Sequence, residues 1–403
     1  MKILISAAET SSDQHGAQLL KSLKRLGAVD AFGVGGPELR AEGLRVVVDA
    51  RELLSMGFFE VLGRLPRIFR ALRQLTESAR AERPDIAVVM DYPDFHFRLA
   101  KRLLPLGFPI VYYIPPKVWV WRKSRVRVLK ERFSKVLTIF PFEEVFYESE
   151  KVPARYVGNP LLDELPLTLT REEARKKLLI SEQARVLVLM PGSRPSELSY
   201  HLELMLDAAL GAAREMGERF LVLLPLPPTS DFKEILQRIK VWKAARGESV
   251  DRLLELRPSQ GDSAWALLAA DAGLIKSGTS TLEAALLGCV HAVVYKTNWF
   301  SHLVFDYLIR LKFKGPVGLV NLVYGWKEGE PFLIREYVKR GIRAEVLQAE
   351  IISLFRDEKR RLVVQAGLAK LKSEMMASEL SPSDQAAREI LAVFNEWKAR
   401  DAR

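Results

Sequence analysis

The sequence predicts an α/β protein built of two tandem doubly wound, Rossmann-like domains facing a cleft. Three observations carry that expectation. Short apolar runs bounded by turn residues alternate with helix-like stretches along most of the chain. Those runs are apolar on both sides instead of alternating, as the buried strands of a parallel sheet are. A length of 403 residues exceeds one ordinary core and suits two, of roughly 150 to 200 residues each.

In chain order, Lys2 to Ala7, Asp85 to Met90, Pro109 to Ile114 and Lys135 to Phe140 read as strands of the first domain. Gln14 to Leu26 and Lys123 to Phe133 supply crossover helices. Gly158, Asn159 and Pro160 break the pattern, and a charged helix, Arg171 to Leu179, leads into a second set. Its strands are expected at Arg185 to Met190, Arg219 to Leu224, Ala270 to Ile275 and Val290 to Tyr295. This βαβ rhythm, repeated without sequence repetition, places the domains at 1–165 and 166–374. The last segment, Ser381 to Lys398, is an amphipathic helix with a Ser-Pro-Ser-Asp start. With the rest of 375–403 it is expected to pack back on the first domain.

Hydrophobic residues at 48% and charged residues at 28% give the balance of a folded chain. No apolar run approaches the ~20 residues that span a bilayer. The opening MKILISAAET is too short for a signal peptide and reads as a first strand. Cys289 is the one cysteine, which excludes a disulfide framework and a thiolate metal cluster, and a cytoplasmic protein is expected. A net charge of +11 calls for an anionic partner: nucleic acid, anionic lipid or a phosphorylated substrate. No zinc-finger spacing or aromatic RNA-binding signature is present, so charge alone does not favour nucleic acid.

In open parallel sheets ligands bind beyond the carboxyl ends of the strands, and polar motifs follow several of these runs. Glu9 lies in Ala7-Ala8-Glu9-Thr10-Ser11-Ser12-Asp13; Ser12 or Asp13 also fits a helix cap, which leaves Glu9 for a cleft wall. Asp91 and Asp94 follow the run IAVVM in Asp91-Tyr92-Pro93-Asp94-Phe95. Asp91, nearer the strand, is the better general base, and Asp94 also fits a turn cap. The loop Pro115-Pro116-Lys117-Val118-Trp119-Val120-Trp121-Arg122 offers cations and indoles to a sugar or phosphate, or simply packing bulk.

In the second domain Pro191-Gly192-Ser193-Arg194 precedes a helix. Gly192 would let the backbone approach a phosphate, and Arg194 would fork onto its oxygens. Ser277-Gly278-Thr279-Ser280-Thr281-Leu282-Glu283 opens another helix with small, hydroxylated residues, an anion site. Glu283, four residues after Thr279, is placed to hold ribose hydroxyls. Diphosphate on the helix tip with an acid on the ribose is a nucleotide-sugar site.

Between Leu53 and Leu75, Leu62, Leu65, Ile68, Phe69, Leu72 and Leu75 share one helical face, flanked by Arg64, Arg67, Arg70 and Arg73. Met56, Phe58 and Phe59 precede it, and Pro66 would kink this helix or mark its start. The pattern fits a helix lying in a membrane interface and equally a core-facing helix with solvated arginines.

These motifs, in this order, resemble the lipid-A-disaccharide synthases, glycosyltransferases of family 19 with the two-domain GT-B fold. AETSSD, MGFFEVLGRL, DYPDFHFRLAKRL, YYIPPKVWVWR, FPFE, VPARYVGNPLLD, MPGSRPSE, SGTSTLEAAL and VGLVNLV carry the resemblance across most of residues 3 to 325. It implies an inverting, metal-independent enzyme with no cofactor. That enzyme transfers 2,3-diacylglucosamine from UDP to 2,3-diacylglucosamine 1-phosphate, forming a β-1,6 disaccharide and UDP. It also implies peripheral attachment to the inner membrane, with the basic region near 53–75 as the expected contact, and a possible homodimer.

By the same resemblance, Asp91 matches the general base, and Glu9 and Asp94 match other acids of the donor-acceptor cleft. Ser193 and Arg194 match phosphate contacts, Ser277 to Thr279 the diphosphate loop, Glu283 the ribose ligand, and Asn321 a polar active-site residue. The chain departs from the family at AETSSD for GETSGD, at PPKVWVWR for SPSVWAWR, and at Pro331-Phe332-Leu333-Ile334-Arg335 for a PELLQ-like stretch. Two rival expectations remain: another GT-B UDP-sugar enzyme, epimerase or cell-wall glycosyltransferase, and a non-catalytic UDP-sugar or lipid-binding protein.

Overall fold

The computed structural model describes residues 1–53, 60–118, 124–228, 230–296, 315–338, 341–376 and 378–401. The chain forms two compact units, Met1–Asp163 with Met375–Arg403, and Glu164–Glu374.

The first unit carries an all-parallel sheet of β1 (Lys2–Ala7), β2 (Asp30–Gly35), β3 (Arg45–Asp49), β4 (Ile86–Met90), β5 (Ile110–Tyr113), β6 (Lys135–Thr138) and β7 (Ala154–Tyr156). The strand order is β3-β2-β1-β4-β5-β6-β7, so the winding reverses between β1 and β4. Both sheet faces are covered. Leu4, Val89 and Tyr112 pack with Leu72 and Leu75 on one side. Ile3, Ile5 and Val88 pack on the other with Leu19, Leu20 and Leu23. Ala386, Ala387, Ile390 and Val393 of the last helix, Pro382–Asp401, complete that second layer. The last helix is tied down by Lys135 to Glu389 at 2.6 Å and by Ser383 Oγ donating to Asp163 Oδ2 at 2.5 Å.

The second unit repeats the plan with β8 (Arg185–Met190), β9 (Phe220–Leu226), β10 (Leu254–Gln260), β11 (Ala272–Lys276), β12 (His291–Tyr295) and β13 (Glu336–Val338). The order is β10-β9-β8-β11-β12-β13, again parallel, with the reversal between β8 and β11. The charged helix Arg171–Lys177 opens with a capping box of Thr170 and Glu173. Arg175 of that helix, 4% exposed, fastens it to the sheet through Asp271, whose carboxylate also accepts from Val186 N at 2.8 Å.

The eight strands expected from sequence all form, several one or two residues shorter or displaced. Five more escaped the sequence reading, and four of them explain why. β7 and β13 have three residues each, β10 is an edge strand carrying Pro258 and two charges, and β2 is broken by Gly33. At Gly33, φ is +143° and a Cβ would fall 2.0 Å from the Ile5 carbonyl oxygen, so only glycine fits beside β1.

Pro66 neither begins nor ends the helix Glu60–Glu82; it lies inside it. Of the expected apolar face, Leu72 and Leu75 are buried, Ile68 packs against the same core, and Phe69 is 47% exposed. The side chains of Leu62, Arg64 and Leu65 fall outside the described residues, as do Met56, Phe58 and Phe59.

Candidate active site

Each winding reversal brings together two strand ends that are far apart in sequence. In the first unit Ala7 pairs with Met90, so Glu9 and Asp91 both lie just beyond one edge of the sheet. Asp91 and Tyr92 are left-handed, at φ 50° and 38°, a costly conformation for two successive L-residues. Their turn sends the chain from β4 into the helix Pro93–Leu103.

A hydrogen-bond relay holds that turn. Tyr112 Oη donates to the Asp91 carbonyl at 2.7 Å, and His96 Nδ1 lies 2.6 Å from the same oxygen. A carbonyl only accepts, so Nδ1 carries the proton, and Nε2 accepts from Ser6 Oγ at 2.8 Å. Burial pushes the His96 pKa down to about 4, which keeps the ring neutral in this role.

The Asp91 carboxyl lines a recess of about 300 Å³ with Ile114, Lys117, Arg125, Phe140 and Glu143 among its walls. Burial, reinforced by the nearby Glu9 charge, raises its pKa to about 6, against the pull of His15 and Lys117. Burial also lowers the Lys117 pKa, opposed by Glu143 and Asp91. Ile114 at the end of β5 is left-handed too, with φ 58°, so backbone strain gathers around the recess.

Glu9 is itself the N-cap of the helix Thr10–Leu26. Ser12, where a glycine was expected from the resemblance, uses its hydroxyl to accept from Glu9 N and donate to Glu9 O, both at 2.9 Å. Asp13 caps a different helix: its carboxylate accepts from Gly36, Glu38 and Leu39 N–H groups at the start of Pro37–Ala41. Asp94 is neither a turn cap nor a wall of the recess; Tyr92 is the N-cap there, and Asp94 pairs with Arg125 near the surface. Trp119, Trp121 and Arg122 lie outside the described residues.

In the second unit Met190 pairs with Ile275, which sets Pro191 to Arg194 beside Lys276 to Thr279. The Ser193 and Arg194 amides do not stand open to a phosphate. Glu197 Oε2 accepts from both, at 3.0 and 3.4 Å. Gly192, with φ +120°, makes room for this carboxylate, since a Cβ would meet Glu197 Oε2 at 2.7 Å. Arg194 is exposed and its guanidinium makes no ion pair among the described residues.

Lys276, not singled out from the sequence because its partner lies 79 residues away, reaches Glu197 Oε1 at 2.7 Å. Burial opposes the Glu197 charge, but Lys276 and the two amides hold its pKa below the usual carboxylate range. His201 Nε2 accepts from Lys296 N at 2.9 Å, pinning the chain after β12 to the same helix.

The helix Thr279–Leu286 begins differently. Gly278 is its N-cap and no side chain caps it, so the helix start carries no internal anion. Glu283, one turn along, is partly buried, and its pKa is raised by burial and by Glu164. Asn321 is set apart from these groups by its bonding. It is 1% exposed, donates to Ile334 O and Glu336 Oε1, and accepts from Ile334 N, so its amide serves to fix β13. A buried polar residue in a motif reads alike whether it binds substrate or backbone.

Comparison with known proteins adds what geometry leaves open. A family profile described as lipid-A-disaccharide synthetase matches residues 3–390. The lipid-A-disaccharide synthase of Anaeromyxobacter dehalogenans is 38% identical over 98% of this chain and 97% of its own. Two solved structures share the fold at low identity. MurG of Acinetobacter baumannii has a TM-score of 0.58 at 14% identity, covering 97% of this chain and 99% of its own. A putative UDP-N-acetylglucosamine 2-epimerase of Listeria monocytogenes has 0.59 at 13%, covering 99% and 97%.

Proposed function

This chain belongs to the lipid-A-disaccharide synthase family, and from that premise we propose how its two units divide the reaction. The protein is a GT-B glycosyltransferase of lipid A biosynthesis that acts on a sugar nucleotide and a lipid phosphate. The proposed donor is UDP-2,3-diacylglucosamine and the proposed acceptor 2,3-diacylglucosamine 1-phosphate.

Asp91 takes the proton of the acceptor's 6-hydroxyl while that oxygen attacks the donor's anomeric carbon. The bond from that carbon to the diphosphate oxygen breaks with inversion, and UDP leaves with the electron pair. The single observation that carries this assignment is the Asp91 carboxyl at a strand end, in a recess, with its pKa raised to about 6. Such a group is ionised at neutral pH yet a stronger base than an ordinary aspartate. Burial sets most of that basicity, and the Glu9 charge adds to it. Arg194 and the uncapped start at Gly278 to Thr279 receive the diphosphate, with Ser277 beside them and Glu283 on the ribose. These protein charges take the part a divalent metal plays elsewhere, so no cofactor is required.

The enzyme is proposed to work at the cytoplasmic face of the inner membrane. Among the described residues no helix is long and apolar enough to cross a membrane. Support for surface contact comes from the helix Glu60–Glu82. There the exposed Phe69 ring lies under the Arg98 guanidinium at 5.9 Å, with Arg67 and Arg70 exposed beside it.

The test is UDP release from the donor, with and without acceptor, in detergent and EDTA. Acceptor-dependent release of UDP with a disaccharide product is expected. Asp91→Asn should lower turnover by about 10²–10⁴-fold while leaving UDP affinity within twofold. Normal turnover in that variant would remove Asp91 from the role, and loss of product on adding EDTA would refute metal independence.

A further inference from the structure

We propose that Lys276 is a pre-ordered ligand of the donor's diphosphate and that Glu197 is the positioning residue that holds it there. This rests on the reading of the loops after β8 and β11 as the diphosphate site.

Lys276 ends β11, a strand hydrogen-bonded on both sides, and its backbone pairs with Val294 of β12. Ser277 N donates to Val294 O at 2.9 Å, which fixes the chain directly after it. The ammonium is therefore carried on rigid backbone, whereas the exposed Arg194 must be ordered on binding.

Three distances locate the ammonium. It lies 2.7 Å from Glu197 Oε1, 5.7 Å from the centre of the Tyr295 ring, and 4.0 Å from where a Gly278 Cβ would stand. It thus sits between the Gly192 to Arg194 loop and the uncapped start of the helix Thr279–Leu286. An ammonium has three N–H donors, and among the described residues Lys276 gives one hydrogen bond, to Glu197. The side chain stays 16% exposed, so the remaining donors can reach a ligand.

Glu197 is anchored in turn by the Ser193 and Arg194 amides, so it cannot follow Lys276 if the lysine swings away. A structural ion pair alone would also use this carboxylate. It would not require the cation to overlie a glycine at an open helix start. As the anomeric bond breaks, charge grows on the diphosphate oxygens, and a cation already in place stabilises it without reorganisation.

The experiment is calorimetric titration of the full chain with uridine, UMP and UDP. Lys276→Met, Glu197→Gln and the double variant are compared with Arg194→Ala and Glu283→Gln. The double variant removes both charges and keeps an amide oxygen for the Ser193 and Arg194 N–H groups. It therefore reports on binding even if Lys276→Met, which strands Glu197, does not fold.

Loss of Lys276 is expected to weaken UDP about 10–100-fold, UMP less, and uridine not at all. Glu197→Gln should weaken UDP several-fold with the same dependence on phosphate number. Equal weakening of all three ligands would make the pair merely structural and overturn the proposal. So would unchanged UDP affinity in the double variant while Arg194→Ala loses it, with the site reading left intact. If Arg194→Ala and Glu283→Gln also leave UDP binding untouched, the site reading itself fails.

Discussion

At the scale of single residues, Asp91 binds a proton in the folded chain that it has released when unfolded between about pH 4 and 6, because burial and Glu9 raise its pKa from 3.8 to about 6. Its ionisation therefore costs folding nothing below pH 4 and most above pH 6. Asp91→Asn should stabilise the protein at pH 8 by about 2–3 kcal/mol and have no effect near pH 4, as thermal melts at the two values would show. The proposed general-base role needs the ionised form, so the rate should fall as pH drops below about 6. Glu9→Gln removes a charge that raises this pKa and should carry the acid limb to lower pH. Lys117→Met removes one that lowers it and should carry the limb higher. A rate profile unmoved by both substitutions would mean that another group sets it.

Some of the described helices bind an internal side chain at their N-terminal ends, and several, among them Pro93–Leu103, Pro141–Ser149 and Thr279–Leu286, do not. At Thr10–Leu26 and Pro195–Met216, Ser12 and Glu197 accept from the amides of the N-cap residues Glu9 and Arg194, and Pro37–Ala41 borrows Asp13. Thr279–Leu286 has no such partner at Gly278 and begins beside the Lys276 ammonium, which is what fits it to the proposed anion site. The last helix, Pro382–Asp401, contributes core instead. Ile390 is fully buried against the first unit's sheet layer, so Ile390→Ala should lower stability by about 3 kcal/mol. Denaturant melts would measure that loss, and KM for the donor should not change. In the helix Glu60–Glu82, Leu72 and Leu75 face the core, so the proposed membrane contact would fall to Phe69 and the arginines around it.

Over the whole molecule, 61 basic against 50 acidic residues give the net charge of +11, a general attraction to anionic surfaces that salt weakens. Vesicles with anionic lipid should sediment the protein at low salt far better than zwitterionic vesicles do. Arg67→Glu with Arg70→Glu should reduce that binding about tenfold while detergent-solubilised activity persists. Equal binding to both vesicle types would remove the electrostatic part of the reading.

The sequence by itself determined the fold class, eight of the strands and the positions of the motifs, because buried parallel strands are apolar on both faces and polar motifs follow directly at their ends. Edge strands such as β10 and β13 were not legible, since half-exposed backbone tolerates charge and proline. Only the tertiary structure decided which side chains meet. Glu9 joins Asp91 because β1 pairs with β4, and Lys276 finds Glu197, 79 residues away in sequence, because β8 pairs with β11. It also shows Asn321 bonded to the Ile334 backbone and Asp94 paired with Arg125. A motif states which functional groups are present. Strand order, set by packing both faces of a twisted sheet, states which of them share a charge field, and that is what fixes a base's pKa or a lysine's direction.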